Sequence, residues 1–318
     1  MKAVILAGGA GTRLKDISMG LPKPMMPLLG KPLLERIVAL LRACGFDELC
    51  MTLCCRPEVI REHFGDGSAF GVSIEYRVER KPLGTAGSVK SCLDFTRGED
   101  FLVIAGDCAC DFALGEAMAR HDGGVSIVLA HDDEPLRYGL VVTRPDGRVA
   151  GFLEKPAWER VVTDTVSTGI YVLSPEAMEP VPDGVPFDFA RDLFPRLLES
   201  GVPMRGLALD GYWCDIGTPR SYYRANLDAL DGLYRLPEDG SARRSVVPCR
   251  SRAALMGRLA AAACEFGADW SDGLRLSDEH GRAHAAPLPD RSAVVIEGEG
   301  ERCQALLALA RRLAAEQG

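Results

Sequence analysis

The residues best suited to chemistry cluster near the N-terminus, where Gly8, Gly9 and Gly11 follow the apolar run Val4 to Ala7 and Arg13 comes directly after. Glycines behind a buried strand let the backbone turn sharply and come close to a bound group, commonly a phosphate. Arg13 adds a planar fork of donors that matches phosphate oxygens. Two familiar phosphate loops do not fit: a dinucleotide fingerprint needs a glycine where Leu14 stands, and a Walker loop needs a GK[ST] ending that is absent. Further along comes LPKPMMP, with Lys23 between Pro22 and Pro24. The flanking prolines restrict the backbone, so this compact positive charge has few directions open to it.

Positioning these residues requires a sheet. Strand-like runs at Val4 to Ala7, Leu49 to Leu53, Ser73 to Val78, Phe101 to Ala105 and Ser126 to Ala130 alternate with helical patterns. The helical patterns cover Leu33 to Cys44, Pro57 to Phe64, Thr85 to Leu93 and Leu114 to His121. That alternation predicts a doubly wound α/β sheet. Ligands in such sheets bind beyond the carboxyl ends of the strands, where Gly8 to Arg13 and Gly106-Asp107 both fall. From Tyr138 the pattern becomes strand, turn at Pro145-Asp146-Gly147, and strand, a hairpin suited to a lid or second layer. Thr165 to Leu173 reads as a strand, Asp188 to Glu199 as a helix, Met204 to Leu209 as a strand and Pro219 to Leu230 as a helix.

The chain has 37 Lys and Arg against 45 Asp and Glu, a net charge of −8, which argues against a general nucleic-acid or anionic-membrane binder. Any anionic substrate must be met by local cations. The N-terminal apolar run stops at Gly8, too short for a signal peptide, and no stretch reaches the length of a membrane span, so a cytoplasmic location is expected. Eleven cysteines lack paired CxxC spacing and read as small buried hydrophobes.

AGGAGTRL followed by LPKPMMP resembles the N-terminal signature of the nucleoside-diphosphate-sugar pyrophosphorylases, or sugar-phosphate nucleotidyltransferases. The resemblance continues in order through PLGTAGSVK (Pro82 to Lys90), IAGDC (Ile104 to Cys108), FLEKP (Phe152 to Pro156), VSTGIYVL (Val166 to Leu173) and GYWCDIGTP (Gly211 to Pro219), and covers roughly residues 1 to 232. PLGTAG and YWCDIGTP look most like mannose-1-phosphate or manno-heptose-1-phosphate guanylyltransferases. The resemblance implies a Rossmann-like nucleotidyltransferase sheet and transfer of GMP from GTP to a sugar 1-phosphate, with release of pyrophosphate. Leu6, Ala7, Gly8, Gly9, Gly11 and Thr12 would contact the nucleotide, with Gly84, Thr85 and Gly87 near its base and ribose. Arg13 and Lys23 would meet the triphosphate, and Asp107 and Asp215 would hold Mg2+. Glu154 would accept from sugar hydroxyls, Lys155 would take the sugar phosphate, and Thr168 and Gly169 would form a sugar-facing turn. Ser167 departs from the asparagine often found in guanylyltransferase relatives, which leaves the sugar open.

The turn-rich stretch 236–250 reads as a linker between a nucleotidyltransferase domain (1–235) and a small α+β module (251–318). In that module, helices at Arg252 to Phe266 and Glu301 to Ala315 would flank strands near Leu274, Ala283 and Val294. Asp272 to Glu301 resembles the last domain of α-phosphohexomutases, but Ala286 to Ser292 lacks that family's RPSGTEP-like phosphate loop, so a non-catalytic role is expected. Apolar stripes on its two helices leave a homo-oligomeric contact open. Two other functions remain in view: a catalytically silent sugar-nucleotide-binding regulatory subunit, and a nucleotidyltransferase with another base or acceptor. The complete set Arg13, Lys23, Asp107 and Asp215 argues against the silent form.

Overall fold

Short apolar runs ending in glycine or polar residues form the inner strands. The computed structural model describes residues 1–9, 11–14, 17–18, 20–132, 134–236, 243–263, 274–278, 281–287 and 293–316. It divides into two compact units, Met1–Pro237 and Glu238–Gly318.

In the first unit, β1 (Lys2–Leu6), α1 (Leu33–Ala43), β2 (Glu48–Leu53), α2 (Pro57–Phe64), β3 (Ser73–Val78), α3 (Gly84–Lys90) and β4 (Phe101–Ala105) follow one another as strand and helix. The four strands lie in the order β4-β1-β2-β3 and are all parallel. Alternate residues of β1 and β2 enter different cores: Ala3, Ile5, Leu49 and Met51 pack with Leu34 and Leu41 of α1, whereas Val4 and Cys50 pack with Ala86 and Val89 of α3. Burial on both faces explains why these strands read as nearly continuous apolar runs.

The chain then forms β5 (Cys108–Cys110), α4 (Leu114–Ala119), β6 (Val125–His131), β7 (Gly139–Thr143), β8 (Val149–Glu154), β9 (Thr165–Leu173), α5 (Phe194–Glu199), β10 (Met204–Ala208), β11 (Trp213–Asp215) and α6 (Pro219–Leu230). The main sheet runs β8-β7-β9-β4-β1-β2-β3, with β6 paired to β9 and β10 paired to β6. It is mixed, because β9 runs antiparallel to β4, β6 and β7. A helical crossover keeps successive strands parallel, but β9 is reached from the β7-β8 hairpin and is free to reverse direction. The expected helix Asp188 to Glu199 is split into a wide π-turn at Phe189–Leu193 and α5, with Asp188 capping the start by accepting from the N–H groups of Ala190 and Arg191. Cys50, Cys92, Cys108, Cys110 and Cys214 are buried free thiols, filling space as small apolar groups.

The second unit contains β12 (Arg243–Pro248), α7 (Arg252–Ala263), β13 (Leu274–Asp278), β14 (Gly281–Pro287), β15 (Ala293–Glu299) and α8 (Gly300–Ala315). Its antiparallel sheet has the order β12-β15-β14-β13. Strand β12 corrects the expected linker: within 236–250, Val247 pairs with Val294 and is buried. The charged residues before Val246-Val247 masked this strand in the sequence. Leu255 and Leu259 face Leu306, Ala310 and Leu313 in the core of this unit. The altered loop at 286–292 lies outside the described residues beyond Pro287, as does the expected helix end at 264–266. No helix among the described residues is long and apolar enough to cross a membrane.

Candidate functional site

The glycine-rich loop leaves β1 at the carboxyl edge of the parallel strands. Leu6 ends the strand and accepts from the N–H of Gly106, which carries the chain from β4 toward Asp107 at the same edge. Ala7 is buried and its N–H donates to Thr52 O at 3.0 Å, so this amide serves the sheet and is not open to a nucleotide. Gly8 lies against Cys54, Gly9 is exposed, and Thr12 to Leu14 form one 3-10 turn that carries the exposed Arg13 outward. Gly11 has φ +57°, and a Cβ there would sit 2.9 Å from Lys23 Cβ. Only glycine lets the loop take this conformation and pack directly on the lysine.

Lys23 begins a 3-10 turn whose Met25 N–H donates to Pro22 O, with Pro22 at its N-cap and Pro24 in its first turn. Its side chain is only 8% exposed, and Nζ lies 2.5 Å from Asp107 Oδ2 and 3.4 Å from Asp215 Oδ1. Burial by itself would lower the Lys23 pKa, but the two carboxylates outweigh it and raise the pKa, so the ammonium is held charged. Burial raises the pKa of Asp215, and Asp107 adds to this while Lys23 and Arg13 oppose it. The cluster therefore sets the Lys23 ammonium between two converging carboxylate oxygen donors.

A two-stranded sheet brings the aspartates together across more than a hundred residues. Strand β5 pairs antiparallel with β11, with Asp215 opposite Cys108, and Ile216 N–H donates to Asp107 O at 3.1 Å. Both strands are three residues long, below what periodicity in the sequence can register, so the pairing that unites the aspartates was not legible there. A Cβ at Gly217 would lie 2.6 Å from Asp215 Oδ2 and 3.3 Å from Arg13 Nη2. That absent side chain leaves room for the Arg13 guanidinium beside the carboxylate.

The β7-β8 hairpin carries the second group. Glu154 ends β8 opposite Gly139, and Lys155 N–H donates to Tyr138 O at 3.1 Å. Lys155 is more than half exposed, with Nζ 3.4 Å from Glu154 Oε1. Its φ of +42° lies in the left-handed region, which a side chain seldom adopts and which turns the chain sharply after β8. The hairpin meets the aspartate cluster through an aromatic contact: the Tyr138 and Trp213 rings are 5.1 Å apart edge to face, and Trp213 is two residues before Asp215.

Trp213 also fixes the turn in β9. Its Nε1 donates to Thr168 O at 3.1 Å, beside Gly169, which has φ +76° and lies where β9 changes register against β6. The Thr168 hydroxyl is buried and donates to Val128 O at 2.7 Å, so that side chain faces the core and not a sugar. Ser167 is buried too and its hydroxyl bonds Tyr171 Oη at 3.4 Å. Thr85 is likewise committed: its hydroxyl donates to Asp188 Oδ2 and accepts from Phe189 N–H, while Phe187 O accepts from Ala86 and Gly87. Gly84 and Gly87 thus pack on the backbone of residues 185–187. The structure joins Lys23, Asp107 and Asp215 directly, sets Arg13 close to Asp215, and ties Glu154 and Lys155 to them through Tyr138 and Trp213. It turns the hydroxyls of Thr85 and Thr168 into supporting bonds; a residue's type and spacing do not reveal which way its hydroxyl turns.

The nucleotidyl transferase family model matches residues 2–232. The chain is 37% identical over 241 residues to a UTP–glucose-1-phosphate uridylyltransferase of Synechocystis sp., covering 71% of this chain and 62% of that one. It is 34% identical over 239 residues to a mannose-1-phosphate guanylyltransferase of Mycobacterium tuberculosis, covering 74% of this chain and 66% of that one. The chain thus spans somewhat less than two thirds of the length of these relatives. HddC from Yersinia pseudotuberculosis, solved complexed with GMP-PN, superposes with a TM-score of 0.62 at 30% identity over 72% of this chain and 99% of that one. With a glycine loop, a buried lysine and two convergent aspartates set at one edge of the sheet inside the matched region, the chain belongs to the nucleotidyl transferase family.

Proposed function

We propose that the protein transfers a nucleotidyl group from a nucleoside triphosphate to a sugar 1-phosphate, releasing pyrophosphate, with GTP as the nucleotide and mannose or manno-heptose 1-phosphate as the acceptor. The observation that carries the reading is Lys23 between Asp107 and Asp215 beside the glycine loop, because it concentrates charge control where a triphosphate would lie. The mycobacterial guanylyltransferase and the structure solved with GMP-PN support guanine; the uridylyltransferase relative is the specific reason to test uracil beside it.

The sugar phosphate oxygen attacks the α-phosphorus in line, and the bond to the leaving pyrophosphate breaks. A phosphate monoester is already largely dianionic at pH 7, with a second pKa of about 6, so no protein base is needed to generate the nucleophile. The work left to the protein is orientation and stabilisation of developing charge. Arg13 would hold phosphate oxygens through its fork, Lys23 would bear on the charge growing at the α-phosphate, Glu154 would orient the sugar hydroxyls, and Lys155 would hold the sugar phosphate. Asp107 and Asp215 suit Mg2+ by donor type and convergence, and when bound the ion would supply neutralisation of phosphate charge. Substrate phosphates drawing Lys23 off the carboxylates would leave those oxygens to the metal.

A matrix of four nucleoside triphosphates against mannose, manno-heptose and glucose 1-phosphates, read by pyrophosphate release, tests the proposal. GTP with a manno-configured acceptor should turn over fastest. A preference for UTP or dTTP would overturn the base, and no release from any pair would overturn the reaction.

A further inference from the structure

One cation beside the site has no place in the scheme above. Arg137 closes a 3-10 turn, Pro135–Arg137, immediately before Tyr138 and Gly139 of the hairpin. Its guanidinium carbon lies over the Tyr138 ring, 5.5 Å from the centroid. That ring packs on Trp213 of the strand that ends in Asp215, and the Tyr138 carbonyl holds the backbone of Lys155. Arg137 therefore stands where the aspartate edge and the sugar-phosphate edge of the site adjoin. Its Nη1 donates to Glu134 Oε2 at 3.1 Å, whereas Nη2 is buried with no hydrogen-bond partner.

A desolvated guanidinium N–H without an acceptor is unfavourable and calls for an anion. The neighbouring cations cannot serve alone. Lys23 already faces two carboxylates, and Lys155 lies beside Glu154. Bringing a phosphate dianion toward a triphosphate needs more positive charge at their meeting point. We infer that Arg137 is a catalytic residue whose guanidinium donates to the phosphate of the incoming sugar 1-phosphate as it approaches the nucleotide. The inference rests on the proposed reaction and adds a residue to it. Burial works against the charge of Arg137, but Tyr138, Glu134 and Asp215 outweigh this and raise its pKa, so the guanidinium stays charged. Glu134, shared by Arg137 and the exposed Arg220 of α6, is the anchor from which Nη1 holds the fork in place.

The test is steady-state kinetics of the full-length protein, with sugar 1-phosphate and nucleotide varied separately. Arg137→Ala should lower kcat/KM for the sugar phosphate about 10²-fold, the usual cost of one donor to developing phosphate charge, with the nucleotide KM within about twofold. Arg137→Lys should recover about tenfold of that loss, since it restores charge without the fork. Arg220→Ala, which removes the other partner of Glu134, should stay within about twofold of wild type because it touches only the anchor. Thermal melting of each variant separates folding from kinetics. The inference fails if Arg137→Ala stays within about threefold of wild type, if Arg220→Ala matches its loss, or if the loss falls equally on the nucleotide. Absence of pyrophosphate release by the wild type would instead remove the reaction itself, and this inference with it.

Discussion

The two units treat polar groups in opposite ways. In the second, the described interior consists of Val247, Leu255, Leu259, Leu274, Val294, Ile296, Leu306 and similar apolar side chains, and no charged residue is buried there among the described residues. The first unit buries Lys2, Lys23, Arg36 and Asp228. Three of these four are structural: Lys2 donates to Thr96 O, Arg36 to the carbonyls of Leu28 and Leu29, and Asp228 accepts from the Tyr212 hydroxyl. Lys2 also pairs with the exposed Glu99, but Lys23 differs in that its ammonium has two carboxylates, Asp107 and Asp215, around it at the edge of the sheet and no backbone carbonyl as a partner among the described residues. A buried charge anchored by a carbonyl or a hydroxyl of the fold is held in place, whereas one held by two acidic side chains alone can exchange them for a substrate. On that difference the proposed chemistry is assigned to the first unit, and the described interior of the second is apolar.

The largest effect should follow from removing the charge that sets the units apart. Lys23→Ala is expected to lower kcat about 10²- to 10³-fold while KM for either substrate changes less than about tenfold, because the charge it opposes grows in the transition state. Equal losses in kcat and affinity would make Lys23 a binding group. Asp107→Asn and Asp215→Asn should come next, each shifting the Mg2+ titration to higher concentration and lowering the rate by roughly 10²-fold, since one carboxylate holds the ion poorly. A normal metal titration in either variant would remove that aspartate from the ion's site.

How far the sequence carried this comparison depends on the range of each signal. The glycine loop after the first strand, Lys23 between prolines and Asp107 beyond a strand's carboxyl end are local patterns, readable without tertiary structure. Tertiary pairing was not legible: the β5 and β11 strands that unite Asp107 with Asp215 are three residues each and nonlocal. The direction of hydroxyls was hidden as well, so Thr85 and Thr168 read as ligand contacts and turn out to bond Asp188 and Val128 O. Antiparallel β9 was not apparent because helix-strand alternation breaks only at the hairpin. In the second unit, the charged run before Val246 concealed β12.

Lys155 offers a smaller effect and a sharper reading. Lys155→Ala should raise KM for the sugar phosphate roughly tenfold with little change for the nucleotide, through loss of one exposed charge. The left-handed backbone at this position allows a second variant: Lys155→Gly removes the same charge and relieves the strain of φ +42°. If the charge matters, both variants lose the same sugar-phosphate affinity, and the glycine form melts higher than the alanine form. If glycine keeps the wild-type KM, the backbone turn and not the ammonium is what the sugar site needs.

The smallest effect on turnover should come from deleting the second unit. Ending the chain after Leu236 keeps Tyr234 stacked on Tyr212 at 5.1 Å and leaves Leu236 in the core of the first unit, so the cut passes outside that core. Every residue assigned to the reaction lies before it. The shortened protein should therefore turn over within about twofold of the full chain, since no group that meets the substrates is lost. What should change is physical: the apolar faces of α7 and α8 pack inward in the described unit, and any contact that unit makes with a second copy would go with it. A point substitution separates the two roles within the full chain. Leu306→Ala leaves a cavity among Leu255, Leu259 and Ile296 and should cost that unit about 2–5 kcal/mol, visible as a separate low-temperature melting step while pyrophosphate release holds. If the shortened protein stays folded with an unchanged light-scattering mass yet cannot turn over, the second unit completes the active site, and the contrast between a chemical unit and a packing unit is wrong.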